Sequence, residues 1–372
     1  MTAELAHVEV RRARMAALLL GDHGHASPSS VAAWVGALQA QDYSSGAWSL
    51  GIRVPGSTAR SVDEAFASGE VLRTWPMRGT IHVIAPQDAR WMLALTGTRT
   101  LAATEARRRE VGLEQPGLGR AVDALVGAMA GRRRITRAHA MTIIGEAGVD
   151  VGGQAGYHVL VYAALIGAIC IGPNDGATQT FVRLDDWAPR QRELSGRDAL
   201  TELAWRYVRS HGPVTAAEFA GWSGLTLTAA RAGIAANVDR VTSALFRGTE
   251  TWLSRETADA IRSGLPPGGT LALPGFDEVI LGYKDRTVHV PREHVPAIVP
   301  GGNGVFRPTI TIDGAVVATW SRTDRARRID VQLMPFAPLT PRRQSLARKA
   351  LERYSRFRGM PLGAWVPPIT NR

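Results

Sequence analysis

Apolar residues recur along this chain in two rhythms. Val31, Trp34, Val35 and Leu38 mark one face of a helix, and Ser27-Pro28 stand in front of it as N-cap and first helical position. After the polar run DYSSG, the stretches AWSLGIRV and TIHVIAP read as strands, with the acidic, helix-like SVDEAFASGE between them. A second group begins at Thr136, the cap of ITRAHAMTIIGEAG. It continues through GQAGYHVLVYAALIGA and ends in AICIGPNDGATQTFVRL, two strands around a Pro-Asn-Asp-Gly turn. Its second helix is apolar on all sides, as a buried helix would be. In a third group Thr215 caps AAEFAGWSG, Gly224 turns the chain, TLTAARAGIAANV forms another helix, and a hairpin is expected around FRGTETWLS.

Helix, tight glycine-containing turn, helix and two-stranded wing is the order of a winged helix-turn-helix. Beyond Pro266-Pro267-Gly268-Gly269, read as a boundary, the pattern turns to strands: TLALPGF, TVHVP, RPTITIDGAVVATWSR with an Asp-Gly turn, and RRIDVQLMPF. A last helix is expected from the Thr340-Pro341 cap to Gly359. Leu346, Ala350, Tyr354 and Phe357 form its apolar side, and Arg342, Arg343, Arg348, Lys349, Arg353 and Arg356 cover the rest. That cationic face suits solvent or phosphate equally. The predicted fold is α+β and mainly helical. Winged units occupy 1–100, 118–190 and 198–262, and a β-rich part with the basic helix occupies 268–372.

Charge sharpens this picture. The 372 residues carry a formal net charge of +11, which favours a polyanionic partner: nucleic acid first, an anionic membrane surface second. A GC-rich genome alone would also make a basic chain, since every cation except Lys284 and Lys349 is arginine. Cys170, the only cysteine, lies in an apolar run, which leaves no internal disulfide and no cysteine-spaced zinc site. The apolar start ARMAALLLG is too short to span a membrane and lacks a signal-cleavage pattern, so a cytoplasmic protein is expected. No metal or cofactor motif is present.

The chemistry centres on Gln39 and Gln41 in ALQAQDYSSG. On a helix, residues two apart point in nearly opposite directions; in an extended segment they share a side. Either the pair frays a helix end in solvent, or the helix stops near Leu38 and both amides serve one site. In LRTWPMRGTIHVIAP, strand alternation places Arg78, Thr80 and His82 on one face, with Arg73 and Trp75 on the strand before. That set suits a DNA backbone and an unstacked base, although a lone histidine is more often structural than catalytic. In LPGFDEVILGYKDR the adjacent carboxylates Asp277 and Glu278 point apart if the segment is a strand, and Lys284 stands beside Asp285. This block reads as structural or DNA-facing, with Lys284 and Arg286 as contacts, and Arg307 with the Asp313-Gly314 hairpin as another.

Together ALQAQDYSSGAW, TWPMRGTIH, LPGFDEVILGYKDR and NGVFRPTITIDGAVVATW resemble the winged-helix DNA glycosylases of the AlkZ type. That family has three tandem winged helices and a β-rich C-terminal part. Its Gln-apolar-Gln hallmark is matched by Gln39-Ala40-Gln41, where a sister branch has Gln-apolar-Asp. The resemblance implies removal of N-alkylated purines from double-stranded DNA, and extends to self-resistance enzymes that unhook azinomycin crosslinks. It makes Gln39 and Gln41 catalytic. Two amides suffice if the leaving base is already cationic, because the water then needs orienting more than deprotonating. A monofunctional, monomeric enzyme leaving an abasic site is expected, with an open site that contacts sugar and backbone more than base. The competing class is a winged-helix transcriptional regulator without catalysis.

Overall fold

The computed structural model describes residues 4–21, 25–302 and 304–366. The fold is α+β, and its packing divides the chain into two compact units. One is Met1–Val62 with Thr201–Arg372; the other is Asp63–Leu200. The expected first segment, 1–100, is therefore shared between them. Pro266–Gly269, expected as a boundary, does not separate the two units. It lies inside the first unit, where Asp313 Oδ1 accepts from the Gly268 N–H at 2.8 Å and from Arg12 at 2.9 Å.

In the first unit, helix Pro28–Val35 starts at the Ser27 cap and ends at Gly36, whose φ of +90° suits a residue without Cβ. AWSLGIRV, expected as a strand, instead lies largely in helix Tyr43–Gly51, begun by Asp42 accepting from the Ser45 N–H. Its small residues explain this. A Cβ on Gly46 would lie 2.6 Å from the Ala40 side chain, and one on Gly51 would lie 2.3 Å from the Phe357 ring. The helix is thus buried on most sides by distant neighbours, which gives its sequence no two-faced helical period.

Thr215 and Gly224 bound helix Ala216–Ser223, followed by helix Leu227–Ala235 and the hairpin Val241–Phe246 with Thr249–Ser254. A five-stranded sheet runs in the order 362–366, 329–335, 315–324, 309–312, 270–273, antiparallel except for its first pair. TVHVP is not one of its strands: Arg286 O accepts the N–H groups of both His289 and Val290, folding that stretch into a turn. Helix Pro341–Arg358 runs from the Thr340 cap to Gly359 as read. It sets Tyr354 edge-on to Trp48 and Trp320, at 5.3 and 5.1 Å between ring centroids. Both indoles donate to backbone carbonyls of strand Thr270–Leu273, so this aromatic core has its polar edges satisfied.

In the second unit, strands Leu72–Met77 and Thr80–Ile84 form one hairpin, and Ile169–Ile171 with Thr180–Arg183 form another. Expected as wings of separate segments, they share a sheet through Arg73 opposite Ile171. Helix Ala155–Leu165 is largely buried, as its apolar surface demands. Burial pushes the Cys170 thiol up to about 12, so it stays protonated and inert. Among the described residues, no helix is long and apolar enough to cross a membrane.

Candidate active site

The helix that precedes the glutamines stops before reaching them. Gly36 breaks it, Leu38–Gln39 are extended, and the next helix begins only at Tyr43. The pair therefore lies in the connection between two helices and not on opposite sides of one. Gln39 is 7% exposed, Ala40 is buried and Gln41 is exposed. Gln39 Oε1 is buried and accepts no hydrogen bond. A buried acceptor left unmade costs about 1–3 kcal/mol, so this oxygen is poised to accept from a water or a ligand. Gly36 belongs to the motif as well, since a glycine just past an apolar helical run is a stop signal legible in sequence.

The polar environment of LPGFDEVILGYKDR is of a different kind. Asp277 is 1% exposed and caps the short helix Glu278–Leu281, so the two carboxylates do not alternate along a strand. Arg53, fully buried, donates Nη1 and Nη2 to the two Asp277 oxygens at 2.8 and 3.0 Å, and its Nε to Leu18 O. Glu278 Oε2 lies 3.0 Å from the Trp222 indole nitrogen and 3.2 Å from His211 Nε2. His211 Nδ1 is 2.8 Å from Ser210 Oγ. This Ser-His-Glu chain has the bonding order of a hydrolytic triad, but Ser210, His211 and Glu278 are all sealed from solvent and Ser210 Oγ donates to Arg206 O. It is a buried structural network. Lys284 is exposed, Arg286 donates to Ile280 O and packs over Phe306, and Arg307 is exposed.

The remaining candidates belong to the second unit, on the hairpin of residues 72–84. Arg78 does not share a strand face with Thr80 and His82. It forms with Gly79 a two-residue turn in which both φ angles are positive, +56° and +69°. Arg73 is buried, donates to Asn174 Oδ1 at 2.8 Å and lies over Phe66. Trp75 is 2% exposed and His82 fully buried, so neither ring face is open for stacking. Thr74 Oγ1, Trp75 Nε1 and Thr80 Oγ1 are buried without hydrogen-bond partners. Such a concentration on one hairpin leaves three polar atoms without a protein partner; Thr74 carried no signal in the sequence. Among the described residues no three His, Cys, Asp or Glu side chains are grouped to hold a metal ion.

Over 98% of this chain and all of the other, the fold is similar to the solved structure of Streptomyces sahachiroi DNA glycosylase AlkZ, with a TM-score of 0.82 and 23% identity. A curated relative, the interstrand DNA cross-link repair glycosylase of Streptomyces sahachiroi, is 27% identical, with 91% of this chain and 92% of the relative covered. The family model described as DNA glycosylase AlkZ-like matches residues 31–357, from the helix before the glutamines to the last turn of the basic helix. The chain belongs to the AlkZ-like family of DNA glycosylases, hydrolases that act on N-glycosyl bonds.

Proposed function

We propose that this enzyme hydrolyses the N-glycosidic bond of cationic N-alkylated purines, N7-alkylguanine above all, using a water held by Gln39 and Gln41. The observation that carries the reading is the buried, unaccompanied Gln39 Oε1 in an extended segment, with a second amide two residues on. The oxygen accepts a hydrogen bond from water and turns its negative end toward the positive charge growing on the sugar. Water adds to C1′, the C1′–N9 electron pair leaves with the base and neutralises it, and the extra proton passes to solvent. No general acid is needed for the leaving group, and an abasic site remains. The relative's cross-link repair name supports bulky adducts and interstrand crosslinks as further substrates.

DNA is the substrate of the family, and Arg78, Thr80, Lys284, Arg286 and Arg307 are read as its backbone contacts. Arg73, Trp75 and His82 shape the hairpin from within. The helix, helix, hairpin order within 198–262 supports a winged-helix reading of that segment, and 118–190 has the same order with a buried second helix. Incubation with duplex containing N7-methylguanine tests the function: wild type should release free base, and none released would overturn the assignment. The pair Gln39→Ala plus Gln41→Ala should release it about 10²-fold more slowly; equal release would overturn the water-positioning mechanism. Unhooking of a crosslinked duplex, read on a denaturing gel, tests the extension.

A further inference from the structure

A cavity of about 450 Å³ in the first unit lies beside the hairpin of residues 241–254, and Lys284 is the one DNA-contact candidate among its lining residues. Arg14, Arg247, Lys284 and Arg292 line it, together with Thr215, Ala217, Glu218, Phe246, Thr249, Thr251, Asp285 and Val288. Its two carboxylates are already engaged. Glu218 accepts from Arg14 Nη2 at 3.4 Å and from the Thr215 N–H at 2.8 Å. Asp285 takes the Thr287 N–H and lies 3.8 Å from Arg247. Lys284 and Arg292 have no anionic partner among the described residues. The cavity therefore holds two cations beyond what its own anions offset.

Arg14 shows that the site is built rather than incidental. It is 2% exposed. Its Nε donates to Pro213 O at 3.0 Å, Nη2 serves Glu218, and its plane lies 3.9 Å over the Tyr283 ring. Nη1 is buried with no acceptor. A guanidinium held on three sides, with its Nη1 amino group left over, is a preorganised donor for an oxyanion. Thr215 and Ala217 add the first turn of helix Ala216–Ser223, whose positive end favours negative charge. Arg247 and Gly248 form the hairpin turn, with φ of +51° and +70°, which sets Arg247 at the rim.

We propose that this cavity binds a phosphodiester of the DNA backbone, with Arg14 Nη1, Lys284 and Arg292 as donors. The chemistry is shared by any phosphoryl oxyanion, so a free nucleotide or inorganic phosphate is the competing source. The chain's action on DNA favours the diester, and the proposal does not depend on how the glutamines work. Arg14 is too deeply packed to be a clean probe; Lys284→Gln plus Arg292→Gln changes only exposed groups. Binding of a short undamaged duplex is followed by fluorescence anisotropy across a salt series. Removing two phosphate contacts should weaken binding and flatten the slope of log K against log salt by about 2. The control Arg107→Gln plus Arg109→Gln, whose charges are offset by Glu110 and Glu105, should leave the slope in place. An unchanged slope in the cavity variant overturns the proposal. So does an unchanged slope accompanied by ATP or inorganic phosphate raising the Tm of wild type but not of the variant, which would assign the cavity to a free anion. Base release is a separate readout, so failure here and failure of the glycosylase mechanism are distinguishable.

Discussion

Gln39 and Asp277 lie in the same compact unit and are almost equally hidden, at 7% and 1% exposure, but their polar atoms are treated in opposite ways. Asp277 accepts from Arg53 on both oxygens and from Ser49 and the Val279 N–H besides. Gln39 offers a buried oxygen to nothing. A buried charge with every lone pair engaged is a fold determinant; a buried acceptor left open is a stability cost retained for some other reason. Asp277, a carboxylate of the kind that catalysis on a glycosidic bond would ordinarily recruit, is thus engaged in the fold. The proposed catalytic amide is the one whose acceptor the fold leaves open.

The largest effect expected from this contrast follows from Asp277→Ala. It strands the Arg53 guanidinium in the core and should cost about 3–5 kcal/mol, measured as a fall in the urea midpoint. A midpoint within error of wild type would mean that the ion pair does not hold the unit together. Next, Gln39→Ala should lower the single-turnover rate of base release about 10²-fold, equivalent to about 2.7 kcal/mol, while the midpoint stays near wild type. A large drop in stability would move Gln39 to the structural side of the comparison.

His289 sharpens the contrast, because an orphan atom alone does not make a functional residue. Its Nδ1–H donates to Gly314 O at 2.8 Å, while Nε2 is buried without a partner. Burial, helped by the Arg14 charge, pushes its pKa down to about 3. The unfolded chain takes up this proton from about pH 6.5 downward and the folded chain only near 3, so stability falls as pH drops through that window. At pH 5 the loss is about 2 kcal/mol, and His289→Gln should flatten the acid limb of a Tm-versus-pH curve without slowing base release. Slower release would tie this orphan atom to catalysis as well. The smallest effect expected is from Gln39→Leu. Removing an unused buried acceptor should leave stability unchanged or raise it by up to about 1 kcal/mol, with base release still slowed; a lower stability would show that the amide has a structural partner.

What could be read in advance was what short-range chemistry encodes. The caps at Ser27, Thr215 and Thr340, the left-handed stops at Gly224 and Gly359 and the Asp313-Gly314 turn are each decided by a few neighbouring residues. The helical fate of AWSLGIRV is not, because Gly51 meets a ring 306 positions along the chain. Nor is the turn at TVHVP, where Val288 is buried against the distant Val10 and Phe246. Arg53 and Asp277 stand 224 residues apart, and no spacing announces that they pair. The candidate site divides the same way. The glutamines and the hairpin of residues 72–84 were visible as motifs, whereas the burial of Trp75 and His82 and the open oxygen of Gln39 are properties of packing.

Gly36 carries a consequence for anyone who would move this motif elsewhere. Without the break at φ +90°, the helix would run on through Gln39-Ala40-Gln41 and turn the two amides about 200° apart. A scaffold given only the three letters Gln-Ala-Gln would inherit the wrong geometry. The transplantable unit is six residues long, Gly36 to Gln41, and its first member should score as intolerant in a mutational scan for its backbone angle alone.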